Sequence, residues 1–151
     1  MNSCVLDTSV FVSYLRHRPT RSLLLNELQF FQPVTRSLIS PVTIGELRAL
    51  SLKQNWGEKR WEILSKLLSS VLVIDLNQEL LFDAYAELDA YAENKHPDRV
   101  RAGSSNTVGK NDLWIAATAL ATNATLLTAD KDFQIFDPEF FSVHYIGKET
   151  I

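Results

Sequence analysis

The sequence contains no apolar run that approaches the roughly 20 residues needed to span a bilayer. Its first residues also lack the basic and apolar segments of a secretory signal. Cysteine is nearly absent, since the single thiol, Cys4, lies in an apolar run and has no partner for an internal disulfide. We therefore expect a cytoplasmic protein without membrane attachment, in which Cys4 is a small buried residue and not a nucleophile.

An excess of positive charge is also missing. Lys and Arg number 15 against 18 Asp and Glu, which gives a formal net charge of −3. This balance does not by itself indicate a nucleic-acid partner. The cations are nevertheless concentrated in two polar stretches, at positions 16–21 and 95–110, and each stretch is either a phosphate-binding surface or a solvated one.

What the chain does contain is the hydrophobic content and the strand and helix patterns of one globular domain. Its 151 residues, 46% of them hydrophobic, are enough for one sizeable core, so we expect a single domain over residues 1–151. Short runs rich in Val, Ile, Leu or Thr predict strands at 3–6, 38–40, 71–76, 125–128 and 142–146. Helical patterns lie between them. This alternation predicts an α/β domain with a mainly parallel sheet.

The helices are predicted from apolar spacing and from their ends. Apolar residues at helical spacing indicate helices at 23–28, 61–68 and 80–92. Ser40 and Pro41 match an N-cap and first helical residue of a helix that ends near Lys53, and Asn111 is a candidate cap for the helix in DLWIAATALA. Residues 93–110 are polar and without periodicity, which predicts a long loop leading to Asp112.

Four acids stand at comparable places in this pattern. Asp7 ends the first strand, Glu46 lies early in the helix after the second strand, Asp112 opens a helix, and Asp130 follows the strand TLLT. Ligands of parallel α/β sheets bind outside the carboxyl ends of the strands. We therefore expect the four carboxylates to converge at that edge.

Convergence of like charges requires a counter-charge, because neighbouring carboxylates raise each other's pKa. Oxygen ligands suit Mg²⁺ or Mn²⁺, whereas three scattered histidines and one cysteine do not form a zinc site. Such an ion lowers the pKa of a bound water and contacts phosphate oxygens, which indicates hydrolysis of a phosphate ester.

Each acid also has a structural explanation. Residues 43–46 match a capping box, Asp112 is favoured near a helix start by the macrodipole, and Asp130 with Asp132 fits an Asx turn. These explanations account worst for Asp7, which is followed by a helical run and not by a Gly or Pro turn. Trp114 is predicted to pack in the core, and Trp56 and Trp61 in the core or on a dimer surface, rather than to stack on bases.

The runs VLDTSVFV, PVTIGELRAL, KNDLWIAATAL and LLTADKDF, in this order, resemble the four acidic motifs of PIN-domain ribonucleases, most closely the VapC-type toxins of toxin–antitoxin pairs. The resemblance covers nearly the whole chain. It implies a three-layer α/β sandwich in which helices flank a mainly parallel five-stranded sheet. It also implies Mg²⁺- or Mn²⁺-dependent endonucleolytic cleavage of single-stranded or structured RNA, such as tRNA or rRNA, a cognate antitoxin protein and a homodimer.

Carried over by position, the resemblance makes Asp7, Glu46 and Asp112 catalytic and metal-binding. Asp130 matches the fourth, less constant acid and is preferred to Asp132 because it is nearer the strand end. The residues expected to orient these carboxylates are Thr8, Ser9, Asn111 and Thr128. The candidate RNA contacts are Arg16, Arg18, Arg99, Arg101 and Lys110.

Two other functions share parts of this pattern. A catalytically silent module of the same fold would bind RNA or protein without cleavage, and metal-dependent hydrolysis would distinguish the two. A haloacid-dehalogenase-type phosphatase also begins with an aspartate at a strand end. That class needs a second acid two residues later, where this chain has Ser9.

Overall fold

The computed structural model describes residues 3–27, 35–105 and 107–147. Its strands form one five-stranded sheet in the order β3-β2-β1-β4-β5, and every neighbouring pair is parallel. The strands are β1 (Ser3–Leu6), β2 (Arg36–Ile39), β3 (Leu72–Val73), β4 (Thr125–Thr128) and β5 (Val143–Tyr145). The predicted α/β class and parallel sheet are confirmed, although β3 is much shorter than the predicted strand at 71–76.

Helices connect the strands. The α-helices are α1 (Thr8–Arg16), α2 (Arg18–Ser22), α3 (Pro41–Lys53), α4 (Glu58–Leu68), α5 (Glu79–Ala92) and α6 (Lys110–Thr122). A π-helical turn, Leu23–Glu27, continues α2, and a 3₁₀ helix, Lys131–Phe136, follows β4. The helix predicted at 23–28 is therefore a π-helical turn over its first five positions, and residue 28 lies outside the described ranges.

Two hydrophobic layers lie on opposite faces of the sheet. Successive strand side chains point to opposite faces, and accordingly Val5, Leu38 and Leu126 belong to one buried cluster with α5 and α6. Their neighbours in β1, β2 and β4 belong to a second cluster with α1 and α4. Because both faces are covered, the strands are apolar almost throughout. The result is the predicted three-layer sandwich.

The helix ends confirm one predicted cap and correct two others. Ser40 Oγ accepts a 3.1 Å hydrogen bond from the Val42 amide, so α3 begins as predicted. Since Ser40 is the cap, the run from Thr43 to Glu46 lies inside the helix, and the capping-box explanation is wrong. Asn111 does not cap α6 either, because the helix begins one residue earlier, at Lys110, and Gly109 occupies the cap position without a side-chain bond.

The loop between α5 and α6 has no helix or strand among its described residues, 93–105 and 107–109. Arg101 fastens it, since its guanidinium donates to the carbonyl oxygens of Ala92, at 3.2 Å, and Ser104. Asn94 Nδ2 also donates to the Gly103 carbonyl at 3.1 Å. The loop that leads to Asp112 is thus tied to the end of α5.

Cys4 and Trp56 are buried as predicted and Trp61 packs against the same cluster, whereas Trp114 belongs to neither of the two core clusters of the described residues. Cys4 is buried, and burial raises the pKa of its thiol to about 12, so it carries no thiolate for nucleophilic chemistry. Trp56 is buried and packs edge to face on Trp61. Trp114 is half-buried against the Tyr85 ring. Among the described residues, no helix is both long and apolar enough to cross a membrane.

Candidate active site

The four predicted acids meet at the carboxyl edge of the three central strands. Asp7 follows β1 directly, Asp130 lies two residues beyond the end of β4, and Glu46 lies in α3, which follows β2. Asp112 lies in the first turn of α6. The convergence is reflected in the pKa of Asp112, which is raised to about 7 by burial first and then by the charges of Asp7, Asp130, Glu46 and Asp132.

Asp7 is the most deeply buried of the acids, with 4% of its surface exposed. One oxygen, Oδ2, accepts hydrogen bonds from Ser9 Oγ at 2.6 Å and from Thr128 Oγ1 at 2.8 Å. Burial raises the pKa of Asp7, and these hydroxyls oppose the rise. A carboxylate this buried depends on such donors to keep its charge.

The two hydroxyls are themselves held by the chain after β4. Ser9 Oγ accepts from the Ala129 amide, and Thr128 Oγ1 accepts from the Asp130 amide, both at 2.9 Å. Each amide occupies a lone pair of its hydroxyl, so the hydroxyl proton remains available for Asp7. Ser9 and Thr128 are therefore the groups that orient Asp7.

Glu46 has a separate set of partners. Thr8 Oγ1 donates to Glu46 Oε1 at 2.6 Å, and Asn111 Nδ2 lies 3.5 Å from Oε2. The adjacent residues Thr8 and Ser9 thus orient different carboxylates. A further group, the fully buried Thr43, places its hydroxyl 3.3 Å from that of Thr8. Sequence reasoning missed Thr43, although it lies in the same PVTIGE run as Glu46 and three residues before it.

Asp112 and Asp130 differ in how they are held. Asp130 Oδ1 accepts from the Asp132 amide at 2.9 Å and so caps the 3₁₀ helix, as the predicted Asx turn requires. Asp132 is exposed, whereas Asp130 is half-buried and contributes more to the raised pKa of Asp112. Asp112 itself forms no side-chain hydrogen bond or ion pair within the described ranges, although it is half-buried.

The residues present fit a hard divalent cation. Their donors are carboxylate oxygens, and none of the four acids has a cationic partner among the described residues. In the same part of the chain, no group of three or more His, Cys, Asp or Glu side chains forms a complete metal site by itself. Mg²⁺ does not require one, because it is usually bound through one or two carboxylates together with water and substrate phosphates.

The predicted RNA contacts differ in their availability. Arg18 and Lys110 are exposed, and Arg16 is exposed with its guanidinium on Gln54. Arg99 forms an ion pair with Glu139 at 2.7 Å and lies over the Phe140 ring. The guanidinium of Arg101 is already hydrogen-bonded to a backbone carbonyl. A contact between any of these side chains and RNA stays a prediction.

A cavity of about 480 Å³ opens beside Glu46. Polar groups line one part of it, and α3 supplies an apolar wall. The lining residues are Thr8, Val42, Gly45, Glu46, Ala49, Leu50, Lys53 and Asn111. An open space therefore lies next to Glu46, with the Lys53 side chain at its border.

Comparison with known proteins is decisive for the family. Residues 4–137 match the family model of the PIN domain. The chain belongs to the PIN-domain family. The predicted family is thus confirmed, and the matched range includes Asp7, Glu46, Asp112 and Asp130.

Individual relatives of this PIN domain are named as ribonucleases. Ribonuclease VapC2 of Rickettsia felis is 30% identical over 131 residues, which cover 86% of this chain and 89% of the relative. Ribonuclease VapC1 of Haemophilus influenzae strain R2866 is 27% identical over the same length. The solved structure of VapBC2 from Rickettsia felis bound to a promoter DNA fragment superposes with a TM-score of 0.71 at 26% identity, covering 95% of this chain and 98% of that one.

Proposed function

We propose that this protein is a VapC-type endoribonuclease that requires Mg²⁺ or Mn²⁺ and acts as the toxin of a toxin–antitoxin pair. The observation that carries the proposal is the meeting of four carboxylates at one sheet edge without an ion pair to the described residues. The names of the relatives, Ribonuclease VapC1 and VapC2, support the choice of RNA as substrate.

Asp7, Glu46, Asp112 and Asp130 are the residues that would hold the ion. When bound, the ion supplies an activated water and neutralises charge on the phosphoryl oxygens. The chain's own contribution is orientation: Ser9 and Thr128 hold Asp7, and Thr8 holds Glu46. No side-chain nucleophile is required, which agrees with the inert, buried Cys4.

RNA binding to an acidic site requires cations elsewhere. Arg18, Lys110 and Lys53 are exposed and have no ion pair to the described residues, so they are available to phosphates. Arg99 would first have to leave Glu139. Binding through such contacts weakens as salt rises, because each neutralised phosphate releases counterions.

The proposed protein partner is a cognate antitoxin. Support comes from the similar solved structures, which are VapBC assemblies from Rickettsia felis and Haemophilus influenzae. A homodimer stays a prediction of the family resemblance.

The deciding experiment is cleavage of defined tRNA and rRNA fragments by the purified protein with Mg²⁺, Mn²⁺ or EDTA. We expect cleavage with either metal and none with EDTA. Asp112→Asn should abolish it. Asp83→Asn is the matched control, because Asp83 is exposed on α5 and outside the acid cluster. RNA binding without metal-dependent cleavage would instead indicate the catalytically silent module.

A further inference from the structure

A second cavity, of about 330 Å³, lies between α1, α2 and the ends of β4 and β5. Its lining residues are Ser13, His17, Thr20, Ala129, Tyr145, Ile146 and Gly147. It borders the site directly, since the Ala129 amide holds Ser9 Oγ and Ser13 lies one helical turn beyond Ser9 on α1. Its volume is within the range of roughly 300 to 1,000 Å³ typical of ligand sites.

His17 presents a defined hydrogen-bonding group at this cavity. Its Nδ1 caps α2 by accepting a hydrogen bond from the Thr20 amide at 3.3 Å. The same nitrogen lies 2.7 Å from Thr20 Oγ1. A nitrogen that accepts from a backbone amide carries no proton, so the donor of the His17 ring in this arrangement is Nε2. Nε2 has no hydrogen-bond partner in the part of the chain that the structure describes. The capping role therefore accounts for one ring nitrogen only.

Tyr145 supplies an aromatic wall whose position depends on Gly147. A Cβ at Gly147 would collide with Oη and the ring of Tyr145. The Lys131 ammonium lies 5.7 Å from the centre of the same ring and adds positive charge beside it. Ser13 contributes a hydroxyl that can donate or accept.

We propose that this cavity, defined by Ser13, His17 and Tyr145, binds the base of a nucleotide next to the scissile phosphate and sets the sequence preference of cleavage. The inference rests on the proposed ribonuclease function. RNA sequence is read from unstacked bases that lie against aromatic side chains and hydrogen-bond through their edges. The N–H of His17 selects a base that offers an acceptor there, as guanine does through O6 and N7.

The test maps cleavage sites in a random-sequence RNA pool for the wild type and for His17→Ser. Serine is a good N-cap, so this variant preserves the start of α2 and removes the Nε2 donor. We expect wild-type cleavage to favour one base at a flanking position and His17→Ser to lose about tenfold of that preference, with a higher KM on the favoured sequence. His144→Ser is the control, since His144 is exposed on β5 and outside the cavity.

A binding arm separates this inference from the ribonuclease function. Guanosine, adenosine, cytidine and uridine are titrated separately into wild-type protein, and the NMR signals of the His17 and Tyr145 rings are followed. Perturbation by one nucleoside, with none in the Gly147→Ala variant, supports a base site even if no RNA is cut. An unchanged flanking preference in His17→Ser, together with no perturbation by any nucleoside, would overturn the inference and leave the ribonuclease function standing.

Discussion

The Thr8 hydroxyl donates to Glu46 Oε1 at 2.6 Å, across 38 positions of sequence. This bond joins the start of α1 to the second turn of α3 and sets the direction in which Glu46 offers its other oxygen. Thr8→Val should therefore lower metal affinity and cleavage by about 10- to 100-fold, the usual cost of losing a group that orients a ligand. Thr8→Ser keeps the hydroxyl and should retain near wild-type activity. Metal titration by calorimetry and cleavage assays measure both effects, and equal losses in the two variants would rule out this role.

Thr128 should control the pH at which the site becomes active. Thr128→Val removes one of two hydroxyls from the buried Asp7 and keeps the side-chain shape. Because these hydroxyls favour the charged carboxylate, their loss raises the pKa of Asp7 further. The acidic limb of the pH profile of kcat/KM should then move to higher pH, and Thr128→Ser should restore it. A profile that falls uniformly, without a lateral shift, would indicate structural damage instead.

Asp112 should destabilise the metal-free protein at neutral and alkaline pH. Its pKa rises from the ordinary value of 3.8 to about 7 in the folded state, so the native state binds more protons than the unfolded state between these values. The contribution of Asp112 to the free energy of unfolding therefore falls as the pH rises from about 4 to 7, and it stays low above pH 7. Asp112→Asn should stabilise the metal-free protein at pH 8 by about 1 to 2 kcal/mol, allowing for solvent screening of a half-buried group.

Thermal unfolding at pH 5 and pH 8 tests this, with Asp83→Asn as the neutral control. Added Mg²⁺ should raise the Tm of the wild type more at pH 8 than at pH 5, and should do little for Asp112→Asn. A Tm of Asp112→Asn below that of the wild type at pH 8 would contradict the expected strain between the carboxylates.

The positions of the acids could be predicted because each depends on local signals. Asp7 follows an apolar strand, and the Ser40-Pro41 pair marks the start of α3, so the parallel-sheet rule brings Asp7 and Glu46 to one edge. The partners of these acids could not be predicted, because they depend on contacts between distant elements. Ser9 and Thr128 meet at Asp7 over 119 positions of sequence, and nothing in the dipeptide Thr8-Ser9 indicates that its hydroxyls diverge.

The first residue of a helix is equally hard to predict where no polar side chain caps the helix. Gly109 caps α6 without a side-chain bond, whereas Asn111, the better cap by residue type, is the second residue of the helix and lies beside Glu46. The partners of the cations also could not be predicted from the sequence. Arg99 and Arg101 have the charge and the loop setting of RNA contacts, but the structure pairs one with Glu139 and uses the other to hold the loop.

This difference between cations predicts their separate effects on RNA binding. Arg18→Ala should weaken binding to the inactive Asp112→Asn protein and reduce the slope of log K against log salt concentration by about 0.7, the value for one phosphate contact on a single strand. Arg99→Ala removes a partner of Glu139 and should leave that slope unchanged, since its charge is already paired. Fluorescence anisotropy across a salt series measures both. A reduced slope for Arg99→Ala but not for Arg18→Ala would place the RNA on the loop side of the acids instead of beside α2.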